Sequence, residues 1–160
     1  MTVEMVIGGF DEMEEALEEL AESTRKAAMR RALVKSAKPM ADLAASLAPV
    51  RSGALAASVA VSTKLDKRAA AKHRRMFNDD RAAVEVFVGP AYNIGSGGRH
   101  GHLLEFGTVH SAAQPFMRPA WDQDSKALLE RLKVEIWSEI KKSLARAERK
   151  ALRMASNGGS

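Results

Sequence analysis

Cysteine is absent from the 160 residues of this chain, which excludes disulfides and thiolate metal sites. No apolar run approaches the roughly 18 residues that a membrane-spanning helix needs. The first ten residues lack the basic and apolar regions of a signal peptide. Together these absences predict a soluble protein made in a reducing cytoplasm. Aromatic residues are also few, at 5%, although 46% of the sequence is apolar; alanine and methionine carry much of that fraction, which favours helices.

The size and charge of the chain indicate the number of domains and the kind of partner. A length of 160 residues fits one domain over residues 1–160 that can bury a real core, with residues 155–160 as a flexible tail. The formal charge of +5 and pI of about 9.7 suggest an anionic partner, either nucleic acid or an acidic protein surface. Solubility alone is the alternative explanation of the charge.

Apolar spacing predicts a long helix over residues 11–47. Its acidic residues come first and its basic residues later, which suits the helix dipole. Such a helix would be roughly 55 Å long at about 1.5 Å per residue, so part of it should project or meet a neighbouring subunit. The predicted buried stripe consists of Met13, Leu17, Leu20, Thr24, Ala28, Leu33, Ala37, Met40, Ala44 and Leu47.

The middle of the chain predicts a small sheet, and its end predicts a second long helix. Residues 55–65 and 83–89 indicate two strands that pair as an antiparallel hairpin with a long polar excursion at residues 64–81. Residues 3–7 and 102–106 could add short strands. Leu129, Leu132, Ile136, Ile140 and Leu144 mark the buried stripe of a final helix over residues 119–154. The predicted class is α+β, with a long helix at each end of a small, mostly antiparallel sheet.

Candidate sites for chemistry do not match a diagnostic pattern. Histidine and glutamate near residue 105 could bind a metal, but their spacing matches no known site. The loop 95–98 is glycine-rich but does not join a strand to a helix, as phosphate-binding loops do. Ser52, Ser58 and Ser62 lack a neighbouring histidine, and Glu105 with Asp122 is one of many acidic pairs. The candidate metal ligands are His100, His102, Glu105 and His110. We therefore predict no catalytic residue, no metal and no cofactor.

A cluster of basic residues in the excursion could contact a phosphate backbone, and the alternative function is therefore a DNA-binding or DNA-processing protein. Aromatic residues do not alternate with these cations, so base stacking is not indicated. A solvated loop, or one that docks on an acidic protein, is the alternative. The cluster consists of Lys67, Arg68, Lys72, Arg74 and Arg75.

The densest group of shape-setting residues lies in the window 102–122. Pro115 and Pro119 fix the backbone on either side of Phe116-Met117-Arg118, and Gly107 permits a tight turn. We expect Phe106 and Phe116 to be core residues. Arg118 has a residue type that anchors interfaces, and we expect it to face a partner.

Two segments of the chain resemble a known family. One segment consists of Leu103-Leu104-Glu105-Phe106-Gly107-Thr108 followed by Gln114-Pro115-Phe116-Met117-Arg118-Pro119-Ala120. The other segment consists of Ala48-Pro49-Val50-Arg51-Ser52-Gly53-Ala54-Leu55 followed by Ser58-Val59. Their sequence and order are similar to those of head-tail joining, or tail-completion, proteins of long-tailed bacteriophages and prophages, including tail components like minor tail protein Z. The glycine- and histidine-rich residues 94–101 depart from the family pattern.

The resemblance implies a structural virion protein without enzymatic activity. Such proteins lie in the neck between the portal-bearing capsid and the tail tube, and form rings that are commonly hexameric. Their neighbours include head-completion or stopper, tail-terminator and tail-tube proteins, and packaged DNA is a further possible contact; no membrane is implied. Tail completion, tail termination and head closure all remain open. The motif residues carried over are Pro49, Arg51, Gly53, Leu55, Glu105, Phe106, Gly107, Thr108, Pro115, Phe116, Arg118 and Pro119.

Overall fold

A computed structural model describes residues 11–51, 53–77, 84–91 and 97–157. The helices are α1 (Asp11–Glu18), α2 (Glu22–Leu47), α3 (Ala54–Ser58), α4 (Lys67–Phe77), α5 (Gly101–Phe106) and α6 (Met117–Asn157). The strands are β1 (Val59–Ser62) and β2 (Phe87–Pro90), and a 3₁₀ helix (Gly97–His100) precedes α5. Two long helices around a small antiparallel sheet confirm the predicted α+β class.

The frame of the molecule is the antiparallel pair of α2 and α6. Near one end, Ala44 and Ala48 contact Phe116 and Ala120. Towards the other end, the Arg31 side chain on α2 donates a hydrogen bond to the Glu139 carboxylate on α6. The buried side of α2 is largely alanine, and because alanine is small, it lets the two helix backbones approach closely. The resulting pair positions both candidate motifs at one of its ends.

Two apolar clusters form the core, one near each end of this pair. The motif-end cluster consists of Ala44, Ala48, Leu55, Phe116 and Ala120. The far-end cluster consists of Met13, Ala32, Ile136 and Ile140. The predicted stripes therefore supply buried residues to both clusters, as their spacing required. Leu47 is an exception, because its side chain is exposed.

The prediction of one continuous helix over residues 11–47 is wrong. The helix is interrupted between α1 and α2, where the Leu20 amide donates to the Leu17 carbonyl in a turn. Because the chain folds back there, Met13 is buried against Ile136 and Ile140 of α6. A straight helix would have left Met13 beyond the core, so burial of apolar surface explains the break.

The hairpin is confirmed, but its strands are shorter than predicted. Strands β1 and β2 pair antiparallel, with Val59 opposite Pro90 and Ser62 opposite Phe87. The first part of the predicted strand 55–65 is instead α3, which buries Leu55 and Ser58 three residues apart on one helical face. The excursion contains α4, and residues 78–83 lie outside the described part of the chain.

The predicted strand 102–106 is wrong, because this segment is helix α5. Gly101 and Glu105, four residues apart, are both buried, which is the spacing of a helix face and not of a strand. The final helix begins at Met117, with Pro119 in its first turn where a missing N–H costs nothing. It continues to Asn157, into the segment expected to be a tail. Residues 3–7 and 158–160 lie outside the described residues.

In the part of the chain that the structure describes, no helix combines the length and apolar character needed to span a bilayer.

Candidate assembly site

The side chain of Glu105 binds the first turn of α6. One carboxylate oxygen, Oε2, accepts hydrogen bonds from the Phe116 amide at 2.8 Å and the Met117 amide at 2.9 Å. The other, Oε1, accepts one from the Arg118 amide at 3.0 Å. A helix leaves its first N–H groups without backbone partners, and a negative charge there also suits the helix dipole. Glu105 therefore caps α6 from another helix, eleven or more residues earlier in the chain.

The environment of Glu105 keeps its carboxylate charged. Burial of the side chain raises its pKa, but the three backbone hydrogen bonds together outweigh burial, and the positive charge of Arg118 adds to them. The net result is a pKa below the ordinary value. A carboxylate with three donors is a satisfied structural group. The structure thus gives Glu105 a positioning role, where sequence reasoning considered a metal ligand or an acid.

A compact turn joins α5 to α6. Gly107 ends α5 with φ of 77°, and a Cβ atom at this position would lie 2.9 Å from the Ala113 amide nitrogen. Thr108 and Ser111 bridge across the turn, with the Thr108 amide donating to the Ser111 carbonyl at 2.9 Å. The Gln114 amide donates to the Leu104 carbonyl at 2.7 Å and so ties the end of the turn back to α5. Only glycine fits position 107, for both backbone angle and space.

The two phenylalanines of this window face opposite ways. Phe116 is completely buried in the motif-end cluster, as expected. Phe106 is 70% exposed, so the expectation that it is a core residue is wrong. The Glu105 side chain turns inward to reach α6 and takes the interior position, which leaves its neighbour Phe106 outside. Val109 at the tip of the turn is 98% exposed, and Leu103 is also exposed. We call Leu103, Phe106 and Val109 the turn surface.

The second motif meets the first one in the core. Gly53 has φ of 72° and precedes α3, and α3 places Leu55 in the same cluster as Phe116. Pro49 is half-buried just after α2, whereas Val50 and Arg51 are exposed. Gly101 lets α5 approach this region, because a Cβ there would lie 2.7 Å from the Pro90 ring. The structure therefore brings Leu55, Phe116 and Glu105 into one joint. The other motif residues include four that are exposed, namely Arg51, Thr108, Pro115 and Arg118.

The basic cluster lies on α4. Asp66 caps this helix, since its Oδ1 accepts from the amides of Arg68 at 2.8 Å and Ala69 at 3.0 Å. His73 attaches the helix to the sheet: its Nε2 lies 3.5 Å from the Glu85 carboxylate, and its ring lies edge-on to Phe87. All five cations predicted here are exposed on the helix: Lys67, Arg68, Lys72, Arg74 and Arg75.

The histidines do not converge on a metal site. His100, His102 and His110 are all exposed, and Glu105 is engaged with backbone amides. Among the described residues no group of three or more potential ligands could hold an ion. Of the candidate phosphate loop, residues 95 and 96 lie outside the described residues, and Gly97 and Gly98 begin the 3₁₀ helix.

The serines considered as nucleophiles have structural partners. The buried Ser58 hydroxyl donates to the Leu55 carbonyl at 2.7 Å, and the Ser62 hydroxyl donates to the Lys64 carbonyl at 2.6 Å. Ser52 lies outside the described residues, and Asp122 is exposed on α6. Within the described part of the chain, neither Ser58 nor Ser62 is hydrogen-bonded to a histidine.

Sequence reasoning missed a second buried carboxylate, that of Glu139. Its oxygens accept hydrogen bonds from Arg31 at 2.6 Å, Lys35 at 2.9 Å and Lys142 at 3.3 Å. The hydrogen bond from Arg31 lowers the pKa of Glu139 most; burial opposes it, Lys35 and Lys142 assist, and the pKa falls to about 2. The sequence contains a pattern that indicates this buried carboxylate. Glu139 lies between Ile136 and Ile140 on the buried stripe of α6, where an acid needs a partner.

Residues 11–107 match the family described as "Bacteriophage HK97-gp10, putative tail-component". The match begins at α1 and ends at Gly107, so it includes the Pro49–Leu55 segment and the Glu105–Gly107 turn. No curated protein and no solved structure matches the chain. The match covers more than half of the sequence, and the chain therefore belongs to this family of phage tail components, which are structural proteins of the virion.

Proposed function

We propose that this chain is a ring-forming subunit of the phage neck, which joins the capsid and portal to the tail tube as a tail-completion or head-tail joining protein. Its neighbours would be head-completion, tail-terminator and tail-tube proteins, and it would assemble in the host cytoplasm. The single observation that carries the proposal is the joint between α5 and α6. Its inner side is held by Phe116 and Glu105, and its outer side exposes apolar residues.

The turn surface has the character of a subunit contact. Phe106 is 70% exposed and Val109 is 98% exposed, although the turn beneath them is fixed by hydrogen bonds and by Gly107. Exposed aromatic and apolar groups on a rigid support are typical of interface anchors. Arg118 is exposed nearby while its backbone amide is bound to Glu105. A cyclic ring needs such a surface, because each subunit must offer one face to the next.

The direct test is the native mass of the purified chain over a range of concentrations. We expect closed assemblies whose masses are integral multiples of 17.3 kDa, with a hexamer as the leading expectation. Arg118→Ala should shift the distribution towards monomer without unfolding the chain, because the substitution leaves the capping amide in place. A chain that stays monomeric at every concentration, together with tails that assemble normally without it, would refute the ring proposal.

A second candidate function is contact with the DNA phosphate backbone through α4. It is favoured by one observation: the helix has five exposed cations and no acidic residue. Arg68 and Lys72 are four residues apart, and like charges at that spacing repel, so a polyanion would relieve the repulsion. Binding should be independent of base sequence and should weaken steeply with salt.

A gel-shift titration at several salt concentrations tests this candidate. The double variant Arg74→Glu/Arg75→Glu should lose binding, whereas Lys126→Glu/Lys141→Glu, with the same change in net charge on α6, should retain most of it. If the wild-type chain does not bind duplex DNA even at low salt, or if both variants lose binding equally, α4 is not a DNA-contacting element.

A further inference from the structure

The end of α6 extends past the rest of the described structure. Each residue from Arg146 to Ser156 is exposed, a length of about 16 Å at 1.5 Å per residue. Helix α2, which runs antiparallel to α6, begins at Glu22. Arg146, Ala147 and Lys150 line a groove with Glu19 and Leu20 of the same chain, so residues 151–156 are the part of α6 that lies beyond this groove. We call residues 146–156 the α6 tip.

The α6 tip has the composition of a contact surface. Four cations and one acid, Glu148, lie within it, and Leu152 and Met154 are 71% and 67% exposed. The cations are Arg146, Arg149, Lys150 and Arg153. Basic residues near a helix end suit the dipole, but that preference does not account for two large apolar side chains in water.

An acidic surface on the same chain has the complementary charge. Residues 11–19, which include α1, contain six acids and no base, and all six are exposed. Met13, Ala16 and Leu17 belong to the far-end cluster or contact it. On a helix, Glu15 and Glu18 therefore point away from that cluster and towards solvent. The acids are Asp11, Glu12, Glu14, Glu15, Glu18 and Glu19.

We propose that the α6 tip of one copy docks on the acidic face of α1 of a neighbouring copy. The inference rests on the ring proposal above and adds, at the far end of the α2–α6 pair, a second contact between neighbouring copies to the one at the turn surface. Such a contact is heterologous, as a closed ring requires, because the two surfaces differ. Opposite charge fixes register and favours the correct neighbour, while Leu152 and Met154 supply apolar contact.

Charge reversal tests this contact in both directions. The tip variant Arg149→Glu/Arg153→Glu places acid against acid, and the α1 variant Glu15→Lys/Glu18→Lys places base against base. Each variant alone should lose the assembled species in native mass spectrometry. An equimolar mixture should regain it with strict alternation, because each reversed surface then meets its complement. Lys64→Glu/Lys126→Glu, with the same charge change as the tip variant, should assemble like wild type.

The possible outcomes distinguish failure of the contact between the α6 tip and α1 from failure of the ring proposal. Circular dichroism and urea unfolding show whether each variant folds, and rescue in the mixture cannot come from misfolded chains. The tip does not dock on α1 if either variant assembles alone like wild type. The same conclusion follows if the wild-type chain forms a ring but the two folded variants fail to restore assembly when mixed. If the wild-type chain never assembles, the ring proposal itself fails.

Discussion

The α2–α6 pair has a buried carboxylate towards each end, and the two are neutralised by different groups. At the motif end Glu105 accepts three hydrogen bonds from backbone amides of a helix start. At the far end Glu139 accepts hydrogen bonds from three basic side chains on two helices. The first arrangement fixes where a helix begins, because backbone amides cannot move independently of it. The second fixes how two helices lie against each other, but its cations are long and partly exposed.

This difference gives the two carboxylates separate structural tasks. The motif end combines a rigid backbone joint with exposed apolar side chains, which suits a defined docking surface. At the far end, the ion network holds α2 against α6 beneath the fold-back of α1. If the division is right, changes at the motif end should separate folding from assembly residue by residue.

The largest effect on stability should come from the buried phenyl side chain of Phe116 at the motif end. Phe116→Ala removes a side chain with 0% exposure and should lower the free energy of unfolding by roughly 3–5 kcal/mol. Urea unfolding at matched protein concentration measures it. Phe106→Ala, at a position 70% exposed, is the matched control and should cost far less. Equal losses would mean that the two phenylalanines do not divide inside from outside.

Removal of the charge at the far end should have the next largest effect. Glu139→Gln leaves Arg31, Lys35 and Lys142 facing a neutral amide, and should cost about 1–3 kcal/mol in the free energy of unfolding. Glu148→Gln, at an exposed position on the same helix, serves as its control and should be close to neutral. A neutral result for Glu139→Gln would show that the network does not hold α2 against α6.

The cap at the motif end should contribute somewhat less. Glu105→Gln keeps one acceptor oxygen but loses the charge and turns an amide donor towards backbone N–H groups. We expect a loss of about 0.5–2 kcal/mol, the range for helix N-caps. Amide hydrogen exchange should localise the change to the amides of Phe116, Met117 and Arg118. Uniform loss of protection throughout α6 would contradict a local capping role.

Both carboxylates should make the chain sensitive to acid. Each has a lowered pKa in the folded state, so each stabilises the fold fully above the unfolded pKa of about 4.3 and progressively less as pH falls through the folded value. For Glu139 the loss should continue down to about pH 2. Unfolding free energies measured between pH 7 and pH 3 should fall less steeply in Glu139→Gln and Glu105→Gln than in wild type. Parallel curves for all three proteins would contradict the assignment.

The two ends also show what could be predicted from sequence. The helical stripes and the hairpin follow from local spacing, so α2, α6 and the β1–β2 pairing were predicted correctly. The break before α2 depends on burial of Met13 against residues more than 100 positions later, which local spacing does not report. The same limit applies to α5, because its helical form depends on what Glu105 reaches in α6.

The candidate site was predicted in its location but not in its details. Prolines, Gly107 and Phe116 mark the joint in the sequence, and the structure confirms Phe116 as core. The side on which Phe106 lies could not be read from its apolar character, since an apolar side chain suits a core or an interface equally. Glu105 was considered for chemistry because a sequence does not show which backbone amides a carboxylate will meet. Those amides belong to Phe116, Met117 and Arg118 at the start of α6, which the fold brings next to α5.

The claim that the outer side of the joint is a subunit contact is tested most directly by Phe106→Ser. The native mass distribution and the thermal midpoint of this variant should be measured beside wild type at the same concentrations. We predict that the assembled species is lost or strongly weakened while the thermal midpoint of the folded chain stays close to that of wild type. Assembly equal to that of wild type, or unfolding of the variant chain, would contradict the account.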